Sequence, residues 1–349
     1  MSTDPPPESP GVVVVTGVAR FFAARVAARL AADPSIRRVV GVDAAEPAAR
    51  PAGVEFVRAD PAATAAVLAD VGAQVVVHLA MATSPDPAGG GRVAMKDQNV
   101  IGTMQLLAAC RQAAALRKLV LRSSTAAYGA SFRDPAVFTE ETQPREVPRG
   151  GFARDILDVE GYVRDFRRRR PDVAATVLRL APLIGAAVDS ALTRYLAQPL
   201  VPTVLGRDPR LQFVHVDDAL EIVYRSVVED HPGTFNVAGA GVLALSQAIR
   251  RAGRVAVPVP EVGLSAVAAL AGGGAAYGFD QLDLLVHGRV VDTTKLVKEF
   301  GYLPRTTAEA FDDFVAGHPA GTLPRRERVA AAERALRDGV RRFRAAVRG

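Results

Sequence analysis

Short, uniformly apolar runs recur through the first half of the chain, each separated from the next by residues with helical spacing. The runs lie at 12–16, 38–42, 54–57, 74–79, 119–121 and 174–180. The intervening stretches at 21–30, 62–68, 93–115 and 152–169 place apolar side chains three and four residues apart, and the last of them stops at Pro171. A strand that is apolar throughout, rather than alternating, is buried on both faces. Six such strands alternating with helices predict an α/β fold with a parallel sheet covered on both sides. Right-handed crossovers then make the sheet doubly wound.

After residue 181 the pattern changes. Pro, Gly and short elements dominate to about residue 210, and again from 240 to 303. Between them, "LQFVHVDDAL" (211–220) and "TFNVAG" (234–239) read as returns to the sheet. The expected organisation is a disordered tail at 1–10 and a Rossmann-type sheet domain at 11–181 plus 211–239. A smaller substrate lobe follows at 182–210 plus 240–316, then a basic helical tail at 317–349. In that tail Val329, Ala332, Leu336, Val340, Phe343 and Val347 recur at helical steps with Arg on the other faces. This is an amphipathic helix, expected to dock on the body or on a second copy.

Composition narrows the classes. The net charge is +6, yet nine arginines against three acids between 325 and 348 account for all of it. The body is near neutral, which argues against a nucleic-acid-binding surface. The single cysteine, Cys110, permits no internal disulfide and fits a reducing, cytoplasmic setting. The first ten residues lack the basic and apolar regions of a signal peptide. The most apolar uncharged window, 262–279, is dominated by Ala and Gly and is too weak for a membrane span. No metal site is expected.

Candidate chemistry begins at "VVVVTGVARFFAARVAARL" (12–30), a strand, a tight turn and a helix. Such a turn delivers a dinucleotide pyrophosphate to a helix N-terminus, and its glycines permit the bend and the close approach. Only Gly17 of a TGxxGxxG pattern is present; Arg20 and Ala23 stand at the other glycine positions. Asp43 ends the second strand, where a carboxylate can hold the adenosine ribose and repel a 2′-phosphate. NAD is therefore expected over NADP. Arg20 is open to three readings: a surface charge, a pyrophosphate contact, or a contact to the 2′-phosphate of NADP.

Ten pieces in order carry a resemblance. They are "VTGVARFFA" (15–23), "GVD" (41–43), "RAD" (58–60), "VVVHLAMAT" (75–83), "NVIGTMQLLAAC" (99–110), "LVLRSSTAAYG" (119–129), "LRLAPLIG" (178–185), "FVHVDDAL" (213–220), "FNVAG" (235–239) and "VVDTTKLVKEFGYLP" (290–304). Together they resemble the extended short-chain dehydrogenase/reductases, and within them the NAD-dependent epimerase/dehydratase family typified by UDP-glucose 4-epimerase. The resemblance spans about residues 11–315. It implies that Thr16, Gly17, Arg20, Phe21 and Phe22 form the phosphate turn and that Asp43 holds the ribose. It places Asp60 near adenine, Leu79, Ala80 and Met81 along the dinucleotide, and Asn99 as a brace for the central helix. Ser124 corresponds to the residue that hydrogen-bonds the reacting oxygen. Thr83, Ser124, Tyr128 and Arg289 are the implied substrate contacts, Arg289 toward a diphosphate. The implied ligand is a nucleotide sugar or related hydroxyl compound, and the implied assembly a homodimer. For that dimer, Leu157, Val159, Val163 and Phe166 give the 152–169 helix apolar surface beyond one core face.

The chain departs from the family at its reactive pair. The resemblance implies a Tyr-x-x-x-Lys on the helix after Ser124, in which Tyr takes the hydroxyl proton and Lys lowers its pKa. Spacing from Ser124 and to Arg179 puts Phe152 at the Tyr position and Ile156 at the Lys position. Glu160 then falls at the family's downstream Glu. No Tyr-x-x-x-Lys occurs anywhere in the sequence. Asp155 and Asp158 are the candidate replacement bases, and surface helix acids are commoner than catalysts. Two readings follow: an epimerase/dehydratase-family enzyme whose standard turnover is lost or altered, and a non-catalytic NAD-binding sensor or scaffold.

Overall fold

A computed structural model of the chain describes residues 11–85, 89–148, 151–260 and 279–319. Strands β1 (Val12–Thr16), β2 (Arg38–Asp43), β3 (Glu55–Arg58), β4 (Val75–His78), β5 (Lys118–Ser124) and β6 (Ala174–Leu180) enter one parallel sheet. A seventh strand, Gly233–Val237, joins at the β6 edge. Counting it as β11, the order is β11-β6-β5-β4-β1-β2-β3. The order reverses at β1, whose neighbours are β2 and β4. The crevice that opens there, beyond the carboxyl ends of the strands, is where such sheets bind ligands.

Alternate side chains of β1 point to opposite faces. Val13 and Val15 pack with Phe22, Val26 and Leu30 of α1 (Phe21–Ala31). Val14 packs in the opposite core, which also holds Leu68 of α2 (Thr64–Val71). The helical stretch after β4 is not continuous. α3 (Gly91–Lys96) passes through one π-helical turn, Asp97–Ile101, into α4 (Gly102–Gln112). A π turn inserts one extra residue and rotates the helix face. It turns Asn99 fully inward.

Helix α5 (Gly151–Arg169) packs beside α4 with Phe152, Ile156, Val159, Val163 and Phe166 in the core. That row is a single stripe at three- and four-residue steps, so the helix has one core face and not two. Val159, Val163 and Phe166 are therefore not outward apolar surface; of the expected set only Leu157 is half-buried.

The smaller lobe carries β7 (Leu183–Ile184), α6 (Ala191–Leu196), β8 (Leu200–Val204), β9 (Arg210–Leu211) and β10 (Val214–His215). Strand β10 pairs with β7 and lies outside the main sheet. α7 (Val216–Val228) then packs back against α1, with Ile222 and Val223 in the same core. After β11 come β12 (Leu243–Ala244), α8 (Leu245–Arg251), β13 (Val255–Val259), α9 (Phe279–His287), α10 (Thr294–Phe300) and α11 (Thr307–Gly317). The lobe has its own core of Leu192, Tyr195, Phe213, Leu245, Phe311 and Phe314. Among the described residues no helix is long and apolar enough to cross a membrane. The basic tail helix, and all but the last residue of the 262–279 window, lie outside the described residues.

Candidate functional site

The crevice contains two cavities with one side chain between them. The outer cavity, about 650 Å³, is lined by Thr16, Gly17, Asp43, His78 and Ala80, and by Gln98 and Ile101 of the π turn. The inner cavity, about 240 Å³, is lined by Phe21, Phe22, Met81, Thr83, Ser124 and Arg289, with Phe152 and Ile156. Arg20 lines both. Its guanidinium donates to Gln98 Oε1 at 2.9 Å, bridging from the β1–α1 turn to the π turn.

The outer wall is built by close backbone approach. Gly17 has φ +85°, and a Cβ there would lie 2.7 Å from the Ala80 Cα. No other residue type fits both constraints. Asp43 accepts from the backbone N–H of Ala19 at 3.0 Å through one oxygen and from Ala45 at 3.1 Å through the other. It thereby holds the turn while each oxygen keeps a further lone pair toward the cavity. Thr16 Oγ1 and Thr103 Oγ1 clamp the two ring nitrogens of His78 at 2.7 and 2.9 Å. Burial lowers the His78 pKa to about 4, so the ring is neutral. The N-terminus of α1 has no side-chain cap, and its first residues Phe21 and Phe22 line the inner cavity.

The inner wall is supported from below. Asn99 accepts from Ala82 N at 2.8 Å and donates to Ala82 O at 2.9 Å, fixing the loop after β4. Ser123 Oγ donates to Glu160 at 2.6 Å, and Glu160 holds Arg179 through bonds of 2.9 and 2.7 Å. This buried pair joins α5 to β6 beneath the cavity. Ser124 lines the cavity and caps the short 3-10 turn that follows, accepting from Ala126 N at 3.2 Å.

Several residues singled out from the sequence sit elsewhere. Tyr128 is fully buried, donates to Asn236 at 2.6 Å and accepts from Arg179 at 2.9 Å, so its hydroxyl belongs to the core and not to a substrate surface. Leu79 is core as well. Asp60 is exposed and accepts from Ala63 N at 2.8 Å; Ala59 and Pro61, on either side of it, are the residues that line the outer cavity. Arg289 keeps its place in the inner cavity and donates to Gly129 O at 2.8 and 3.2 Å. Asp155 is fully buried and held by Arg92, with an N–O distance of 2.6 Å, and Asp158 pairs with Arg154. Neither acid lines the cavity beside Ser124, so neither is placed to replace a general base.

Sequence reasoning missed Arg122. It lies two residues before Ser124 on β5, half-buried, and lines the inner cavity. Its guanidinium carbon stands 5.6 Å from the centre of the Phe22 ring. Burial, with a smaller contribution from Arg20, lowers its pKa to about 10, so it stays cationic at neutral pH. The available signal was a charge inside an otherwise apolar central strand, in phase with Ser124.

Comparison with known proteins agrees with this fold. The chain is 48% identical over 320 residues to an uncharacterized protein of Mycobacterium tuberculosis (strain ATCC 25618 / H37Rv), covering 89% of this chain and 85% of the relative. It is equally similar to an uncharacterized protein of Mycobacterium bovis. Among solved structures, MoeE5 in complex with UDP-glucuronic acid and NAD is similar at TM-score 0.68 and 20% identity, over 88% of this chain and 98% of that one. UDP-glucose 4-epimerase from Thermotoga maritima with UDP-glucose is similar at TM-score 0.65 and 17% identity, over 88% and 98%. dTDP-glucose 4,6-dehydratase from Bacillus anthracis in complex with NAD is similar at 0.66 and 16%, over 88% and 96%. A family model described as "NAD dependent epimerase/dehydratase family" matches residues 13–238, more than half of the sequence, and the chain belongs to that family.

Proposed function

We propose that this chain binds an NAD-type dinucleotide across the two cavities and does not carry out ordinary epimerase turnover. The carrying observation is that Phe152 and Ile156 flank Ser124 in the inner cavity, where proton transfer would be needed. The outer cavity fits the adenosine half: Asp43 offers carboxylate oxygens to a ribose, Gly17 and Ala80 allow close approach, and the uncapped end of α1 faces the phosphates. A bound nicotinamide supplies hydride acceptance. Phe152 has no proton to exchange, and a lone Ser hydroxyl is a poor base at neutral pH. Losing a general base costs about 10²–10⁴ in rate.

The second ligand of this reading is a nucleotide sugar or related hydroxyl compound. Arg289 joins the inner cavity to a third one of about 360 Å³, in which Arg207 lies 4.2 Å over the Phe132 ring. The stacked cation, with Arg289 lining both cavities, suits the nucleotide end. A binding module acting through partners is the second reading, favoured by the engagement of Asp155 and Asp158 away from the cavity. A homodimer is part of the proposal, formed through Ile101 and Met104 beside Leu157 and Tyr162. Cytoplasmic residence is the matching setting for a chain whose one thiol is buried and unpaired.

Two measurements test this. Calorimetry with NAD on purified protein is expected to show binding, and no heat with NAD or NADP would overturn the cofactor site. A coupled assay with UDP-glucose is expected to show no epimerisation, and robust turnover free of contaminating enzyme would overturn the lost chemistry. A monomeric mass by light scattering at micromolar concentration would remove the dimer.

A further inference from the structure

The inner cavity holds more positive charge than its walls neutralise. Arg20, Arg122 and Arg289 line it, and Asp189 is its one carboxylate among the described residues. Asp189 is already held by Arg194 at 2.6 Å on each oxygen. Arg289 is turned onto the Gly129 carbonyl. Arg20 feels Asp43 across the outer cavity, and its guanidinium bonds the neutral Gln98. Arg122 meets no carboxylate and no hydrogen-bond acceptor among the described residues; its ring contact with Phe22 is an apolar surface under a cation. A guanidinium left without an acceptor in a half-buried cleft carries a desolvation cost. A ligand with negative or neutral character at that point relieves the cost, and a cationic one adds to it.

Strand alternation fixes where this charge acts. Arg122 and Ser124 are two residues apart on β5, so both project toward the same side at the carboxyl end of the sheet. Phe152 and Ile156 line the same cavity. This is the end of the cleft away from Asp43. A dinucleotide with its adenosine in the outer cavity therefore directs its nicotinamide toward Arg122. The nicotinamide ring is cationic when oxidised and uncharged when reduced.

We propose that Arg122 makes this site select the reduced, uncharged nicotinamide over the oxidised, cationic one. The inference rests on the dinucleotide reading above and deepens it. A like charge about 8 Å away in a partly desolvated cleft disfavours binding by about thirtyfold at an effective dielectric constant near 20. The site then acts as a reader of the reduced cofactor, a role that needs neither a Tyr nor a Lys at positions 152 and 156. It also gives a physical reason for Ile at position 156, because an ammonium added to this cavity would repel Arg122.

The test is calorimetric titration of NADH, NAD⁺ and ADP-ribose into the purified full chain at neutral pH and about 0.15 M salt, with Arg122→Met and Arg122→Lys as variants. The expected result is that NADH and ADP-ribose bind about thirtyfold tighter than NAD⁺ to the natural chain. Arg122→Met should bring NADH and NAD⁺ together, and Arg122→Lys should keep them apart. Equal affinities for NADH and NAD⁺, or tighter NAD⁺, in the natural chain would overturn the inference while leaving the dinucleotide site intact. Tight ADP-ribose with NADH as weak as NAD⁺ would also overturn it, by assigning the discrimination to bulk and not charge. Binding of none of the three would remove the dinucleotide reading itself. If Arg122→Met fails to fold by circular dichroism, Arg122→Gln takes its place, and discrimination that survives in the neutral variant counts against the proposal.

Discussion

Placing a lysine at position 156 tests the electrostatics of the cleft without any ligand. Ile156 is fully buried between α5 and the sheet while its side chain reaches the inner cavity wall. Replacing it forfeits part of an isoleucine burial worth about 1.5–3 kcal/mol, some of which the lysine stem recovers. The larger cost is charge. The new ammonium would share a small cavity with Arg20 and Arg122, and among the described residues no free carboxylate lines that cavity. One like charge about 8 Å away at an effective dielectric constant near 20 costs about 2 kcal/mol. Ile156→Lys should therefore destabilise the protein by about 3–4 kcal/mol at pH 7. The pH dependence follows from a folded-state pKa pushed below the unfolded value of about 10.4. The full penalty applies below the lowered pKa. It fades as pH rises from that value toward 10.4, because there the unfolded state binds the extra proton. Urea denaturation at pH 7 and pH 9.5 measures both effects, and Arg122→Met in the same background should recover about 2 kcal/mol. A variant as stable as the natural chain at pH 7, or a penalty that does not shrink with pH, would refute this account of the cavity.

Three further outcomes follow from the same geometry. Gly17→Ala should cost about 1–3 kcal/mol of stability and weaken dinucleotide binding, because a Cβ at φ +85° would lie 2.7 Å from Ala80 Cα; thermal melting and calorimetry check it. His78 is buried and neutral, with a pKa near 4 against about 6.5 unfolded, so the natural chain should lose up to about 3 kcal/mol as pH falls from 6.5 toward 4. His78→Asn should lose that slope in pH-dependent denaturation, though it starts less stable. Glu160→Gln leaves Arg179 buried without its charge partner and should destabilise by about 3–5 kcal/mol in urea titration, a loss that Glu160→Asp should partly spare.

The fold was legible because its signal is a change of period. Runs such as Val12–Thr16 are buried at every position, and α1 buries one stripe, so the two kinds of segment differ on the page. The π turn was not legible. A single inserted residue leaves the average helical spacing of 93–115 intact while turning Asn99 and Gln98 to opposite tasks, one bracing the Ala82 loop and the other receiving Arg20. The outward face of α5 was misread for a related reason. Apolar residues counted along a helix do not reveal which neighbour covers them, and one stripe resting on the sheet accounts for Val159, Val163 and Phe166.

At the site, linear spacing was enough to bring Ser124, Phe152 and Ile156 to one cavity, because strand and helix geometry fix their separation once the sheet is known. It was not enough for charge. Arg20 stands in a turn and Arg122 in a strand a hundred residues later, and each alone has a bland reading as a solvated or packed arginine. Only the sheet order, which sets β1 next to β4 and β4 next to β5, brings the two cations around one cleft. If positions 152 and 156 are those of the family's reactive pair, the change there is more than a loss of two groups. An apolar wall at Phe152 and Ile156 lowers the local polarity, and a lower polarity strengthens whatever field Arg122 exerts on the group beside it. On the proposed reading, Phe152, Ile156 and Arg122 belong to one electrostatic arrangement, in which recognition of charge at the end of the cleft takes the place of proton transfer.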